Sequence, residues 1–194
     1  MRVYFVRHGE SEANLNKTFA GQSDAKLTET GRAQAEEIRP ILADIAFDKV
    51  YSSDLSRAWD TQKLALPGYA AETTKLLREI DVGNLVGKSI AAAAAANGGV
   101  SPTAKWGDYT PYGGEHRGML DARVQQFMEM LEKTDYETVA VFAHRGVLMS
   151  VIRYVFGTSN LPNGPIVCDN CAINVVEFDG TSWRLLSLNY GKKL

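Results

Sequence analysis

A histidine and an arginine stand side by side where the first apolar segment ends. Arg7, His8, Gly9 and Glu10 follow residues 3–6, a β-branched and aromatic run typical of a buried strand. Open α/β folds build their sites at the carboxyl edge of the sheet, so a loop here can present His8 outward. The arginine offers planar donors to phosphate oxygens, and the glycine would let the backbone approach a ligand closely. Taken alone the tetrapeptide is weak, because a loop that merely contains a histidine explains it equally well.

Three more chemically capable residues stand at comparable points later in the chain. Arg57 comes soon after residues 48–51 and His144 soon after residues 139–142, both of which read as strands, and Glu79 precedes a glycine-containing loop. Taken singly, Arg57 could be a solvated charge on a helix, His144 a histidine of the core and Glu79 an acid on the surface. Because strand ends deliver the basic residues to the same sheet edge, we expect one shared anion pocket, which chance explains poorly.

Apolar runs alternate with helical patterns, which favours an α/β fold. Strands are predicted at 3–6, 48–51, 139–142 and 172–178, with helices between most of them. This order predicts a single domain over residues 1–194, with a mostly parallel sheet flanked by helices on both faces. Residues 182–190 follow Asp179-Gly180, a strong hairpin signal, and predict an antiparallel edge strand near the C-terminus.

Helix boundaries follow from caps and breakers. Thr28 is expected to cap the first helix, in which Pro40 should introduce a kink or a break. Ser53 or Asp54 is expected to cap the second. The second, third and fourth helices are predicted at about 54–66, 120–131 and 147–156.

Composition limits the classes of partner. The 194 residues, 45% of them hydrophobic, suffice for one core. With 21 basic and 23 acidic residues the net charge of −2 offers no field for nucleic acid or an anionic membrane, and neither is expected as a partner. The first apolar run is too short for a signal peptide or a membrane span, so we expect a cytoplasmic protein. The oligomeric state stays open, with a homodimer as one alternative.

Neither a metal nor a cofactor is expected. Cys168 and Cys171 form a C-x-x-C pair without a second Cys/His pair, so the ligand set of a structural zinc is missing. We interpret them as two ordinary buried thiols, with redox or metal chemistry as the alternative. The chain also shows no acidic cluster of the kind that holds magnesium beside phosphate.

The combined motifs resemble those of the histidine phosphatase superfamily, which includes cofactor-dependent phosphoglycerate mutases. The matching positions are R-H-G-E-S at 7–11, Asn14, L-T-E-x-G-R at 27–32, S-S-D-L-x-R at 52–57, L-R-E at 77–79 and His144. The resemblance extends in the expected order through nearly the whole chain. It implies phosphoryl transfer to or from a small phosphorylated metabolite.

The resemblance also implies roles for individual residues. His8 would carry the phosphoryl group, and Glu79 would donate and accept the proton. The implied phosphate contacts are Arg7, Asn14, Arg57 and His144. Further substrate contacts are implied at Ala20 and Gly21, whose loop resembles the F-x-G-x loop of the family, and near Glu115 in a later pocket loop.

Three departures bear on substrate choice. Leu85-Val86 stands where many relatives carry a tryptophan and an acid, and His116 stands where they often have serine. Arg145 follows the late histidine directly, where glycine is common. Arg145, with His116 or Lys88, is therefore expected to favour substrates that bear a second anionic group.

A metal-free mechanism follows from the chemistry of these side chains. Guanidinium groups and an imidazole donor can stabilise the charge on a transferring phosphoryl group. Arg7 and Arg57 should lower the pKa of His8 and keep its attacking nitrogen free, while a backbone carbonyl accepts from the other nitrogen. A partly buried Glu79 with a raised pKa is expected to serve the leaving group and then water.

Three functions remain open, with hydrolysis favoured. Residues 83–116 are expected to form a substrate-facing lid or insertion, with a short alanine-rich helix at 91–96 ended by glycines. The interval from Glu79 to His144 is compact and offers little that could form a tight lid, so the site should admit water, which favours a phosphatase over a mutase. A non-catalytic scaffold would have been expected to lose an arginine or the acid first, and all of them stand.

Overall fold

A mixed β-sheet lies at the centre of the chain. The computed structural model describes residues 1–96, 98–99, 107–158 and 166–191. The strands are β1 (Arg2–Arg7), β2 (Lys49–Ser53), β3 (Glu72–Thr74), β4 (Thr138–Ala143), β5 (Ile173–Phe178) and β6 (Trp183–Tyr190). Their order across the sheet is β3-β2-β4-β1-β5-β6. All strands predicted from the sequence are present, and β3 is an addition that its short, polar Glu-Thr-Thr sequence did not reveal.

The sheet is parallel on one side and antiparallel on the other. Strand β4 pairs in parallel with both β1 and β2, and β3 pairs in parallel with β2. Strand β5 runs antiparallel to β1, and β6 runs antiparallel to β5. Gly180 takes a φ of 97° in the turn between the last two strands, as the Asp-Gly signal predicted. The single-domain α/β class and the antiparallel edge are therefore confirmed.

Helices cover both faces of the sheet. They are α1 (Glu12–Leu15), α2 (Glu29–Glu37), α3 (Arg39–Ala43), α4 (Ser56–Ala65), α5 (Ile90–Ala96), α6 (Arg117–Leu131) and α7 (Arg145–Val155). Successive residues of β1 point to opposite faces, so Val3 and Phe5 pack with α6 and α7 while Val6 packs with α2 and α3. No described helix has the length and apolar character needed to cross a membrane.

One helix cap differs from its prediction, and another is confirmed. The Thr28 hydroxyl accepts a hydrogen bond from Gly31 N at 3.0 Å, and the helix breaks before Pro40 as expected. Helix α4, however, begins at Ser56 behind Leu55, which provides no side-chain cap. Asp54 is unavailable as a cap because its carboxylate accepts from Nε and Nη2 of Arg78, at 2.7 and 2.6 Å.

The parallel register places the carboxyl ends of three strands next to each other. Arg7 at the end of β1 pairs with Ala143 at the end of β4, and Phe142 pairs with Ser52 near the end of β2. The loops that leave these strands therefore begin side by side at one edge of the sheet.

Candidate active site

A cleft of about 690 Å³ opens at this edge. Most of the residues that the sequence singled out line it, namely Arg7, His8, Asn14, Ala20, Gly21, Arg57, Glu79 and Arg145. His144, Glu115 and His116 are not among the lining residues.

His8 is held in one orientation by backbone contacts. Its amide donates to the Ala143 carbonyl at 3.0 Å, and its side chain is only 5% exposed. Nδ1 lies 2.7 Å from the carbonyl oxygen of Gly9. Because a carbonyl oxygen can only accept, Nδ1 must carry the hydrogen, and Nε2 keeps its lone pair. The expected carbonyl partner is thus Gly9.

Electrostatics keep this imidazole neutral. The pKa of His8 lies well below its usual 6.5, chiefly because burial penalises the charged ring, and secondly because Arg57 and then Arg7 repel a further positive charge. The Gly9 contact acts in the opposite direction. The predicted direction is confirmed, although burial contributes more than the two arginines. Burial likewise holds the pKa of His144 well below 6.5.

Acid should therefore destabilise the fold through these two histidines. Below pH 6.5 the unfolded chain protonates them while the folded chain resists. We expect the free energy of unfolding to fall by about 1.4 kcal/mol per pH unit for each histidine as the pH drops below about 6.5. Above that pH neither histidine contributes to the pH dependence of the free energy of unfolding. Urea unfolding between about pH 5 and 7.5 measures the slope, which should become shallower in His8→Ala. An unchanged slope in that variant would contradict the assignment.

Two arginines flank His8, of which Arg57 is buried and Arg7 is half-buried. Arg57 is 1% exposed, and it donates from Nη1 to the Ser23 carbonyl and from Nη2 to the Gly21 carbonyl, both at 2.8 Å. Arg7 donates from Nη1 to the Cys168 carbonyl. The Nε groups of both arginines are buried without a hydrogen-bond partner among the described residues. Both guanidinium groups line the cleft, so each is positioned to donate to an anion within it.

His144 lies deeper than His8. It is fully buried, its ring centroid is 5.1 Å from that of His8, and its Nε2 is 2.9 Å from Ser53 Oγ. Its Nδ1 is also buried without a partner in the described part of the chain. Ser53 thus orients this imidazole, and its hydroxyl also accepts from Leu55 N at 3.3 Å, just before α4.

A loop near the C-terminus braces the site, and the sequence did not reveal it. Asn170 donates from Nδ2 to the His8 carbonyl at 2.9 Å and to Asn14 Oδ1 at 3.3 Å. The Cys171 amide donates to the Arg7 carbonyl at 3.0 Å. Cys168 and Cys171 are buried and form no disulfide, and burial raises the pKa of Cys168. The C-x-x-C segment thus holds the loop that carries His8 in place.

Glu79 is held by backbone donors. Its Oε1 accepts from its neighbour Ile80 N at 2.8 Å, and its Oε2 accepts from Gly146 N, in the first turn of α7, at 3.0 Å. Gly146 approaches closely, since a Cβ built there would lie 2.0 Å from Oε1. The carboxylate is thereby fixed on the cleft wall.

Glu115 supports this acid from outside the cleft. Its carboxylate accepts from Nε and Nη2 of Arg123 at 3.0 and 2.9 Å, and from Asp81 N at 2.9 Å. Arg123 also donates to the carbonyls of Leu76, Arg78 and Glu79. The pair thus clamps the segment that carries Glu79. His116 is exposed at the start of α6.

Gly9 lies against a second glycine, Gly31. A Cβ at Gly9 would lie 2.3 Å from the carbonyl oxygen of Gly31, and a Cβ at Gly31 would lie 2.0 Å from that of Glu10. The two glycines therefore let the first turn of α2 pack against the loop that carries His8.

Part of the segment 83–116 faces the cleft, and residues 97 and 100–106 lie outside the described part. Ile90, Gly107 and Tyr109 line the opening. Tyr109 contacts Phe19 edge to face, with centroids 6.2 Å apart, and Leu85 is buried in the same small cluster. Helix α5 confirms the predicted alanine-rich helix.

In the part of the chain that the structure describes, no three His, Cys, Asp or Glu side chains are grouped to hold a metal ion.

Known proteins resemble this chain in sequence and fold. A model of the histidine phosphatase superfamily (branch 1) matches residues 3–191. The adenosylcobalamin/alpha-ribazole phosphatase of Salmonella typhimurium is 31% identical over 163 residues, which cover 78% of each chain. A Proteus mirabilis protein named "Probable phosphoglycerate mutase GpmB" is 27% identical over 190 residues, covering 94% of this chain and 87% of that protein. A mycobacterial glucosyl-3-phosphoglycerate phosphatase, solved in complex with VO3, superimposes with a TM-score of 0.86 at 26% identity, over 97% of this chain and 98% of that one.

Proposed function

This chain belongs to the histidine phosphatase superfamily, branch 1, and on that premise we propose that it hydrolyses a phosphomonoester of a small metabolite through phosphohistidine at His8. One observation supports this most. A neutral imidazole whose Nε2 keeps its lone pair lies beside two guanidinium groups whose buried Nε atoms lack partners in the described residues. Such a nitrogen can attack, and such donors suit the oxygens of a phosphoryl group.

The first half-reaction transfers the phosphoryl group to the protein. His8 Nε2 attacks phosphorus in line, a P–N bond forms, and the P–O bond to the leaving group breaks. Arg7, Arg57 and His144 stabilise the charge on the phosphoryl oxygens, and Asn14 adds an amide donor. Glu79 gives a proton to the departing oxygen.

The second half-reaction returns the nucleophile to its starting state. Water attacks phosphorus, Glu79 accepts a proton from it, and the P–N bond breaks to release inorganic phosphate. The Gly9 carbonyl accepts from Nδ1 throughout, which fixes the tautomer that leaves Nε2 as the attacking nitrogen.

We propose that this chemistry needs no divalent metal, because guanidinium groups supply the positive charge that magnesium provides in other phosphoryl-transfer enzymes. Hydrolysis of p-nitrophenyl phosphate should proceed equally with and without a chelator. An activity that a chelator abolishes and a metal restores would contradict the proposal. A chain that bound phosphate but hydrolysed nothing would instead be a scaffold.

A mutase is the second candidate, since one relative is named as a phosphoglycerate mutase. We favour water as the acceptor because the sequence between Glu79 and His144 is short and offers little that could form a tight lid. A site that admits water exposes phosphohistidine to hydrolysis. Supplying labelled 3-phosphoglycerate together with its bisphosphate primer separates the two activities. Free phosphate should dominate. Efficient conversion to 2-phosphoglycerate with little free phosphate would favour the mutase.

We place the enzyme in the cytoplasm, where free thiols such as Cys168 and Cys171 persist. The net charge of −2 argues against a nucleic acid partner, and the concentration of arginines in one cleft argues for a small anionic substrate.

A further inference from the structure

The cleft carries more positive charge than one phosphate needs. Among the described residues, the charged side chains that line it are Arg7, Arg57, Arg117, Arg145, Arg153 and Glu79. Arg7 and Arg57 flank the nucleophile. The remaining three arginines come from α6 and α7, which together form a different wall of the cleft.

The carboxylate of Asp121 interacts with two of these arginines, Arg153 and Arg117. Arg153, which is 4% exposed, donates from Nε to the two oxygens of Asp121 at 3.2 and 3.1 Å. Arg117 Nε lies 3.8 Å from Asp121 Oδ2, and Ser150 donates to Oδ1 at 2.6 Å. Asp121 therefore cannot neutralise both guanidinium groups.

Arg145 adds a third positive charge in the first turn of α7. Its Nη2 lies 3.5 Å from the carbonyl oxygen of Ile166, a neutral acceptor. It is also close enough to Arg7 to lower the pKa of that guanidinium, after the larger effect of burial. Five guanidinium groups line the cleft. They face two carboxylates, that of Asp121 and that of Glu79, whose Oε2 accepts from Gly146 N of α7. The excess of three positive charges is one more than a phosphate dianion neutralises.

A purely structural role explains only part of this arrangement. The buried Arg153–Asp121 pair links α7 to α6, as an interhelical ion pair does. That link needs one arginine. Arg117 and Arg145 line the cleft as well, and placing like charges together has an electrostatic cost that an anionic ligand offsets.

We propose that Arg117 and Arg145, with Arg153 and Asp121 supporting Arg117, form a second anion subsite that binds a carboxylate or second phosphate of the substrate. The inference rests on the proposed function and names its substrate class, a phosphomonoester with another acidic group. Arginine forks match both kinds of anion in bidentate geometry. His116 and Lys88, which the sequence suggested alongside Arg145, do not line the cleft, and Arg117 and Arg153 stand there instead.

A matched pair of ligands tests the subsite. 3-Phosphoglycerate and glycerol 3-phosphate differ only in a carboxylate that replaces a hydroxymethyl group. We expect the His8→Ala chain, which cannot form phosphohistidine, to bind 3-phosphoglycerate about ten-fold tighter or more by calorimetry. Arg145→Gln or Arg117→Gln added to that chain should remove most of the preference. Arg184→Gln is the matched control, because Arg184 on β6 pairs with Asp179 and does not line the cleft. This variant should retain the preference.

A third ligand distinguishes the two kinds of anion. If glycerol bisphosphate binds tighter than 3-phosphoglycerate and loses that advantage in the same variants, the second group is a phosphate. Equal affinity for all three ligands, or a preference that both substitutions leave unchanged, would overturn the subsite. The proposed function has its own test: it is wrong if the unmodified chain does not hydrolyse p-nitrophenyl phosphate. The binding comparison does not depend on that activity and tests the subsite whatever the result.

Discussion

Replacing His8 with alanine is expected to lower kcat for any phosphomonoester by about 10⁴-fold or more, because the covalent route is removed entirely. The fold should survive. His8 contributes a buried imidazole whose charged form is disfavoured, and its backbone contacts with Ala143 and Asn170 do not depend on its side chain. Thermal unfolding should show a single transition close to that of the unmodified chain.

His116→Ala provides the matched control for this prediction. That histidine is exposed and does not line the cleft, so its removal should leave kcat unchanged. His144→Ala should fall between the two, since it would remove a phosphate contact and leave the nucleophile in place. Substantial turnover by folded His8→Ala, or phosphate trapped on a different residue, would refute the role of His8.

Replacing Glu79 with glutamine is expected to have the next largest effect, and its size should depend on the leaving group. An alkoxide needs a proton, so kcat/KM for an alkyl phosphate should fall by about 10² to 10⁴-fold. p-Nitrophenolate leaves without one, so phosphorylation by that substrate should change little. Water attack still lacks its base, and the phosphorylated protein should therefore accumulate. Stopped-flow measurements should show a burst of p-nitrophenolate that the unmodified chain lacks.

Gly146→Ala should reproduce this catalytic defect although Glu79 itself is not replaced. The new Cβ would lie 2.0 Å from Glu79 Oε1 and 3.1 Å from Leu120 Cδ2. Both atoms are side-chain ends, so the carboxylate would be displaced while the backbone stays in place. Alanine is favoured over glycine within a helix by up to about 1 kcal/mol, which offsets part of the cost of displacing the carboxylate. Gly118→Ala on α6, whose Cβ would meet only His116, is the control. Equal losses for alkyl and aryl substrates in Glu79→Gln would show that Glu79 does not protonate the leaving group.

The sequence revealed those site residues whose position follows from strand ends. Arg7 is the last residue of β1 and His8 follows it directly, and the β1–β4 register places His144 beside them. These positions follow from the local sequence pattern and from the rule that the carboxyl ends of parallel strands meet at the same edge of a sheet. Such information is present in a single sequence.

The residues that the sequence did not reveal act through contacts between distant segments. Asn170 reaches the His8 carbonyl across 162 positions, and Thr61 accepts from Gly9 N across 52. Arg153 lines the cleft from the last turns of α7, where an apolar helical pattern predicts only core packing. No local periodicity encodes such pairings, because they depend on how the helices dock on the sheet.

The position of Glu115 also depends on contacts between distant segments. The family resemblance implied a substrate contact near Glu115, but its carboxylate accepts from Arg123 and from Asp81 N. Only the packing of α6 against the segment that carries Glu79 turns this acid into a support. Patterns in the sequence thus identify the groups that perform chemistry more readily than those that position them.

The most direct test of the proposed chemistry is a rapid-quench experiment with a phosphate-labelled substrate and the unmodified chain. We predict a transient, acid-labile and base-stable label, located at His8 by peptide mapping, that forms and decays at rates consistent with turnover. Turnover that proceeds with no label on the protein at any time, or with label on a residue other than His8, would contradict the mechanism.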